Sequence, residues 1–200
     1  MSLHSFLDEE LGKFGTKTPT DDQVKEAIST AFDRVENEFK RVALEAYKLH
    51  YSTICQTGSC CLSTIVINNK LYVANIGDCG GALITEKDDG TYEAIKINTK
   101  QAATSRKERE RLIKEFPNDP DIVYQSSSTA WYVKRRLMPT RAFGDLHLKH
   151  PEFNNPHNLS RSHGFKSRID PWNGPYITHR PEIRVYEISE KTKGYVLASD

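Results

Sequence analysis

The chain has 200 residues, with 28 Lys plus Arg and 27 Asp plus Glu, enough for one medium-sized domain with its own core. This charge balance gives no electrostatic reason to expect binding to nucleic acid or to an anionic membrane surface. No apolar run approaches the ~20 residues of a membrane-spanning helix, and no signal peptide is visible. Hydrophobic residues make up 37% of the chain, a low share that favours polar loops or a piece of a larger protein.

The four cysteines, Cys55, Cys60, Cys61 and Cys79, form no C-x-x-C pair, and neighbouring cysteines make a poor disulfide. We therefore expect reduced cysteines that are buried as small apolar residues, rather than zinc ligands. Free thiols suit a reducing compartment. The expected location is intracellular and cytoplasmic, or mitochondrial if an N-terminal targeting segment precedes this sequence.

Residues 20–47 carry the clearest helical pattern. Apolar residues recur at helical spacing between Val24 and Ala46, which predicts one long amphipathic helix. Thr20 and Gln23 have the spacing of a capping box at its start.

The next apolar runs predict a β-hairpin. Residues 62–67 and 71–76 are rich in Ile and Val and flank an Asn68–Asn69 turn. We expect this hairpin to lie within an antiparallel sheet, with the residue 24–46 helix packed on that sheet. Further strands are predicted at residues 81–85, 92–97, 122–125, 131–134, 183–188 and 195–198.

A second helix is predicted at residues 105–116, with Ser105 and Glu108 as a capping box and a densely charged surface facing solvent. Residues 154–174 are polar and aperiodic, so we expect a loop that is mobile or packs irregularly near the edge of a site. Helices and antiparallel strands without regular βαβ alternation define the fold class as α+β.

Three acids follow apolar segments: Asp78 in "VANIGD", Asp145 in "TRAFGD" and Asp200 in "YVLASD". Carboxylates gathered at strand ends suit hard cations such as Mg²⁺ or Mn²⁺, which prefer oxygen ligands. An Asp that follows Gly at a strand end is, however, more often a turn residue that hydrogen-bonds its own backbone. Spacing alone leaves both interpretations open.

Four longer stretches resemble successive motifs of the metal-dependent type 2C Ser/Thr protein phosphatases, in the order of that family. They are "TGSCCLSTIVINNKLYVANIGDCGGAL", "ERERLIKEFPNDPDIV", "VKRRLMPTRAFGDLHLKHPEFN" and "RPEIRVYEISEKTKGYVLASD". The resemblance covers nearly the whole chain, from Thr20 to Asp200. The elements "FPNDPDIV" and "KHPEFN" are similar to the branch of pyruvate dehydrogenase phosphatase-like and related plant enzymes.

This resemblance implies a sandwich of two antiparallel sheets flanked by helix pairs, of which residues 1–200 form a single, partial domain. It implies Mn²⁺ or Mg²⁺ as cofactor, a metal-activated water that attacks phosphoserine or phosphothreonine, and a phosphoprotein substrate. By motif position, Asp200 and Asp78 are similar to metal ligands. Arg141 and Asp145 match positions that support the site. No nucleic acid or membrane partner is expected, and the chain is expected to be a monomer.

Several family features are absent from the printed sequence. The Asp-Gly-His-Gly-Gly stretch with its bridging aspartate is missing, as expected of a central fragment incomplete at both ends, so we expect no activity from these residues alone. Inside the chain, the family's Gly-Asp-Ser-Arg is Gly77-Asp78-Cys79-Gly80, its Asp-His is replaced near Lys100-Gln101, and its Arg-Val-x-Gly is Tyr132-Val133-Lys134-Arg135. The alternative is a pseudophosphatase, a non-catalytic binding or regulatory module.

Overall fold

Three α-helices are present in a computed structural model, which describes residues 2–154 and 168–199: α1 (Leu3–Gly12), α2 (Asp21–Lys48) and α3 (Arg106–Glu115). The predicted capping box of α2 is confirmed, since the Thr20 hydroxyl accepts from the Gln23 backbone and the Gln23 side chain accepts from the Thr20 N–H. Helix α1 was not predicted. Within the described residues, no helix combines the length and apolar character required to span a bilayer.

The strands form two three-stranded antiparallel sheets and two short ribbons. The first sheet has the order β2-β3-β9 and the second β10-β4-β5, while β1 pairs with β8 and β6 with β7. Their bounds are β1 (Gly58–Ser59), β2 (Cys61–Ile67), β3 (Lys70–Ile76), β4 (Gly80–Glu86), β5 (Tyr92–Lys96), β6 (Val123–Gln125), β7 (Trp131–Val133), β8 (Phe143–Gly144), β9 (Glu182–Glu187) and β10 (Thr192–Ala198).

The predicted hairpin and its helix are confirmed. Strands β2 and β3 pair from Cys61↔Ile76 to Ile67↔Lys70 around the Asn68–Asn69 turn. The apolar face of α2 and residues of α1 pack on one face of β3, because alternate β3 side chains point to that side. This cluster contains Phe6, Leu7, Val24, Ile28, Ala31, Phe32, Tyr72, Ala74 and Ile76.

The other face of β3 packs against the second sheet. Leu71 and Val73 contact Leu83 of β4 and Ile97, and all four are buried. The predicted α+β sandwich is therefore confirmed. The described helix pair covers only the first sheet, whereas β10 of the second sheet exposes apolar side chains, with Val196 58% exposed.

The polar segment 154–174 lies mainly outside the described residues, because 155–167 are not described. The described residues at the two ends of this segment are joined by hydrogen bonds. The buried Asn154 side chain donates to the Ile169 carbonyl at 2.8 Å and accepts from the Ile169 N–H at 3.0 Å.

The segment Tyr132-Val133-Lys134-Arg135, which departs from the family's Arg-Val-x-Gly pattern, forms a turn that two ion pairs stabilise. Lys134 and Arg135 both have left-handed backbones, with φ of 48° and 59°, and Arg135 stands where the resembling family has glycine. Lys134 Nζ contacts both oxygens of Asp119 at 2.9 Å, and Arg135 bonds Asp121 at 3.0 Å. Arg135, at the glycine position, and its neighbour Lys134 are thus both paired with the "NDPD" segment.

Replacing Lys134 by Met is expected to lower the free energy of unfolding by about 2 kcal/mol, because Asp119 loses its cation inside the protein. The side chains of Lys134 and Asp119 are only 11% and 7% exposed. Urea denaturation measures the loss. Arg135→Met is the matched control, since the Arg135 and Asp121 side chains are 55% and 58% exposed and exposed pairs contribute at most about 1 kcal/mol. Equal losses in the two variants would contradict this account.

Candidate functional site

Asp78 lies in the bend directly after β3, where the buried strand reaches the edge of the sandwich. Its carboxylate is half-buried and accepts a hydrogen bond from the Cys60 thiol, with Sγ 3.2 Å from Oδ1. Among residues 2–154 and 168–199, no Lys, Arg or His forms an ion pair with Asp78. Among the described side chains, the Asp78 carboxylate therefore has a thiol as its hydrogen-bond donor and no cation beside it.

Glycine at position 77 permits this arrangement. Gly77 has a left-handed φ of 95°, and a Cβ there would lie 2.2 Å from Cys60 Sγ. The absence of a side chain lets the thiol reach the neighbouring carboxylate. Burial raises the pKa of Cys60 to about 12, so the thiol keeps its proton near neutral pH and donates to Asp78.

Gln101 holds the Gly77 backbone in place, a role that the sequence reasoning missed. Its Oε1 accepts from the Gly77 N–H at 3.1 Å, and its own N–H donates to the Gly77 carbonyl at 2.8 Å. Its Nε2 donates to Glu182 Oε2 at 3.3 Å. The position that looked like a lost polar partner, near Lys100-Gln101, is thus a buried support for the bend that carries Asp78.

Replacing Gln101 by Leu is expected to destabilise the protein by about 1–2 kcal/mol, because the buried Gly77 N–H loses its acceptor. The same change should loosen the Asp78 bend, seen as faster amide exchange at residues 77–79 with β2 unchanged. The control is Gln56→Leu, at the half-buried end of a 3₁₀ turn. Unchanged exchange at residues 77–79 in Gln101→Leu would exclude the support role.

Asp200, the other predicted metal ligand, lies outside the described residues. Strand β10, which precedes it, pairs with β4 up to Ala198↔Gly80. The described end of β10 and the bend of Asp78 therefore lie at the same edge of the second sheet. Within the described part of the chain, no three His, Cys, Asp or Glu side chains lie together in a way that could hold a metal. Asp78 alone does not make a complete metal site.

Arg141, predicted to support the site, lies between the Asp78 bend and residues 178–180. Its carbonyl oxygen is 3.3 Å from the point where a Gly77 Cβ would lie. Its backbone bridges to Thr178, and its Nη1 donates to the Arg180 carbonyl at 2.9 Å. Nε is buried without a partner in the described structure.

Asp145, the second predicted support, is only 5% exposed and has a left-handed φ of 47°. Its Oδ2 lies so close to Gly58 that a Cβ there would be 1.8 Å away. Its N–H donates to the Thr57 carbonyl at 2.8 Å. Burial raises the pKa of Asp145 to about 6, although the nearby Lys149 cation opposes the shift. The structure places Asp145 in the packing beneath "RAFGD", where it forms no ion pair with a described side chain.

A buried ion pair fixes the same segment to α2. Lys149 Nζ lies 2.6 Å from Glu36 Oε1, and both side chains are 3% exposed. Lys149 also donates to the Ala142 carbonyl at 2.7 Å, and Glu36 Oε2 accepts from the Gly144 N–H at 2.9 Å. The two side chains satisfy the backbone of the "RAFGD" turn from opposite sides.

Of the remaining predictions about side chains, the one on the cysteines and the one on the cap of α3 have different outcomes. The structure describes all four cysteines, and none forms a disulfide, as expected. Cys55 is buried as expected, whereas Cys60, Cys61 and Cys79 are half-buried. The predicted Ser105 cap of α3 is wrong, because the Ser105 side chain makes no capping hydrogen bond. Glu108, its expected partner, is buried and accepts instead from Thr140 at 2.6 Å and from Arg111 at 2.8 Å.

A two-sheet α+β sandwich with an acid at the shared edge is the arrangement expected of metal-dependent protein phosphatases. The chain matches the family model "Protein phosphatase 2C" over residues 3–200. It therefore belongs to the protein phosphatase 2C family.

The curated relatives are longer than this chain. Probable protein phosphatase 2C 67 of Arabidopsis thaliana is 28% identical over 177 residues, which cover 88% of the chain and 46% of the relative. Probable protein phosphatase 2C 48 of the same organism is 31% identical over 179 residues, covering 88% and 44%. The chain thus spans about half the length of the curated relatives it matches. The narrower branch assignment stays a prediction.

Two of the solved structures that match this chain illustrate the shared fold. A serine-threonine phosphatase 2C from Toxoplasma gondii superposes with a TM-score of 0.61 at 12% identity, covering 98% of this chain and 61% of that one. A C. elegans sex determining protein gives the same TM-score of 0.61 at 15% identity, covering 98% and 37%. At these identities the likeness concerns the fold alone.

Proposed function

We propose that the intact protein is a metal-dependent serine/threonine phosphatase and that this chain carries one edge of its active site. The observation that carries the proposal is the Asp78 carboxylate. It is half-buried at a strand end, pairs with no cation of the described residues, and lies at the sheet edge where β10 ends. Asp200 follows β10 by two residues, which supports a shared cation site for the two acids.

The donor set favours Mn²⁺ or Mg²⁺ as the cofactor. Asp78 and Asp200 offer only oxygen ligands, and hard cations prefer oxygen. Cys60 is in contact with Asp78, but its thiol is occupied as a donor to the carboxylate, which disfavours a soft, thiolate-bound metal. Such an ion, when bound, lowers the pKa of a bound water and so supplies a nucleophile.

The role of this chain's own residues is to position the Asp78 carboxylate and the backbone around it. Asp78 offers carboxylate oxygens to the cation, and the Cys60 thiol restricts how that carboxylate rotates. Gln101 fixes the Gly77 backbone from which Asp78 projects. Arg141 and Asp145 support the surrounding turn. The acid that bridges the metals in the resembling family is absent from the printed sequence, so this chain alone is expected to be inactive.

The proposed substrate is a phosphoprotein with phosphoserine or phosphothreonine, and the proposed state is a monomer. Free thiols favour an intracellular, reducing location such as the cytoplasm. A pseudophosphatase is the second candidate. It is favoured by the bend after Asp78, where Cys79 and Gly80 replace the polar residues of the family pattern.

Phosphate release from a phosphothreonine peptide in the presence of Mn²⁺ separates the two candidates. We expect none from this chain alone and clear release from the intact protein. Asp78→Asn in the intact protein should slow release at least about tenfold, the loss typical of groups that hold a metal or its ligands. Asp88→Asn, at a 94% exposed side chain in the β4–β5 turn, is the control. An intact protein inert with Mn²⁺ would favour the pseudophosphatase.

A further inference from the structure

A cleft of about 440 Å³ lies between α3, residues 149–150 and residues 175–180. Five of its lining residues are basic and one is acidic: Arg111, Lys149, His150, His179, Arg180 and Glu115. Asp78 is not among the lining residues, so this cleft is a different feature from the proposed cation site.

Three of the cleft's basic side chains already contact acids. His179 Nε2 lies 2.8 Å from Asp33 Oδ1. Arg111 bonds Glu108 and Glu115, each at 2.8 Å, and Lys149 bonds Glu36. Arg180 is exposed, and within residues 2–154 and 168–199 its guanidinium makes no ion pair or hydrogen bond. The neighbouring Thr178 hydroxyl accepts from the Arg180 N–H at 3.2 Å, which leaves its own proton free to donate.

A third arginine, Arg141, is not among the lining residues but adjoins the cleft through its contact with Arg180. Arg141 donates through Nη1 to the Arg180 carbonyl, but its Nε is buried without an acceptor in the described structure, and no described carboxylate forms an ion pair with it. Burial lowers the pKa of Arg141, the Glu108 carboxylate opposes this shift, and the Arg111 cation adds to it. Unpaired buried donors are uncommon in proteins and call for an acceptor.

We propose that this cleft binds a phosphate group, held by Arg180 and the Thr178 hydroxyl with Arg111 and Arg141 beside it. Guanidinium groups match phosphate geometry and form strong charge-assisted hydrogen bonds. A phosphate carries about −1.5 to −2 charges near neutral pH, which offsets the repulsion among the three arginines. The site goes beyond the proposed catalysis and requires no metal.

The Arg141 backbone connects the cleft to the proposed active-site edge, because its carbonyl packs against Gly77. A phosphorylated protein bound at that edge could therefore place a second phosphate in the cleft. Free inorganic phosphate has the same chemistry, so the experiment compares both sources.

Inorganic phosphate is titrated into this chain by calorimetry in the presence of EDTA, which removes the metal. We expect saturable binding that Arg180→Gln weakens about tenfold, the effect of losing roughly one charge-assisted hydrogen bond. Lys107→Gln removes the same charge from an exposed position on α3 outside the cleft lining and should leave the affinity within about twofold. Thr178→Val should weaken binding less than Arg180→Gln, because a neutral donor contributes less.

A phosphoserine peptide is then tested as a competitor against its unphosphorylated form. Competition by the phosphopeptide alone identifies a phosphorylated protein as the ligand, and its failure identifies free phosphate. The Asp78→Asn variant should bind phosphate with the same affinity as the unchanged chain. Failure of the proposed metal site would therefore not change the phosphate measurement. Absence of saturable binding, or equal weakening by Arg180→Gln and Lys107→Gln, would overturn the proposal.

Discussion

Replacing Lys149 by Met should lower the free energy of unfolding by about 3–5 kcal/mol, the usual effect of removing one partner of a buried ion pair. Methionine fills a similar volume, so the loss does not come from a cavity. Glu36 would remain 97% buried without its cation, and the Ala142 carbonyl would lose its donor. Urea denaturation followed by circular dichroism measures the change, with the slope m as a check on two-state behaviour.

A double variant separates the lost charge balance from lost packing. Glu36→Gln keeps a side-chain oxygen that accepts from the Gly144 N–H and removes the negative charge. Glu36→Gln/Lys149→Met should therefore recover more than half of the stability that Lys149→Met loses. A double variant as unstable as the single one would show that the ion pair is not the cause.

Replacing Asp145 by Asn should stabilise the protein by about 2–3 kcal/mol near pH 7.5, which follows from a pKa raised by about two units. Burial raises the pKa of Asp145 from 3.8 to about 6, with Lys149 opposing and Glu36 adding to the shift. The folded protein thus holds an unfavourable buried charge above that pKa. Asn has nearly the same shape and tolerates a left-handed backbone.

The pH dependence gives the sign of this effect. Between pH 6 and 4 the folded state binds the Asp145 proton more tightly than the unfolded state does, so the penalty in the unchanged protein disappears on acidification. The gain from Asn should therefore vanish by about pH 4. His147 has a pKa lowered by burial to about 4, which destabilises both proteins equally as the pH falls. A gain that stays constant with pH would contradict the Asp145 explanation.

Features that depend on nearby residues could be predicted from the sequence. The α2 capping box needs only Thr20 and Gln23, and the β2–β3 hairpin needs two apolar runs and an Asn-Asn turn. Asp78 was found as a candidate because an acid that follows a buried strand and glycine is a local pattern. Its contact with Cys60 depends on β2–β3 pairing and on the missing Cβ of Gly77, which no spacing rule describes.

The supports of the site could not be predicted, because their partners are distant in sequence. Glu36 and Lys149 are 113 residues apart, and Gln101 and Glu182 are 81 apart. Each side chain alone resembles an ordinary surface residue. Glu108 matched the position of a helix-capping partner, but the buried Thr140 hydroxyl and Arg111 draw its carboxylate inward instead. The prediction failed because tertiary contacts outweighed a local preference.

The turn at Lys134 and Arg135 shows why a departure from a family pattern is ambiguous in sequence alone. Loss of glycine from a left-handed turn suggests damage. The structure shows ion pairs to Asp119 and Asp121 at a turn whose two residues both have left-handed backbones. Ion pairs that stabilise the altered turn would suit an enzyme and a pseudophosphatase equally. Metal binding must therefore be measured directly.

Calorimetric titration of Mn²⁺ into this chain tests the central claim, that Asp78 and Asp200 share a cation site. We expect weak binding, with a dissociation constant on the order of a millimolar because few protein ligands leave the ion largely hydrated. Asp78→Asn and Asp200→Asn should each weaken it at least about tenfold, whereas Asp88→Asn, at a 94% exposed side chain, should not. Unchanged affinity in both site variants, or no Mn²⁺ binding by the chain, would contradict the shared site, and the pseudophosphatase interpretation would then be favoured.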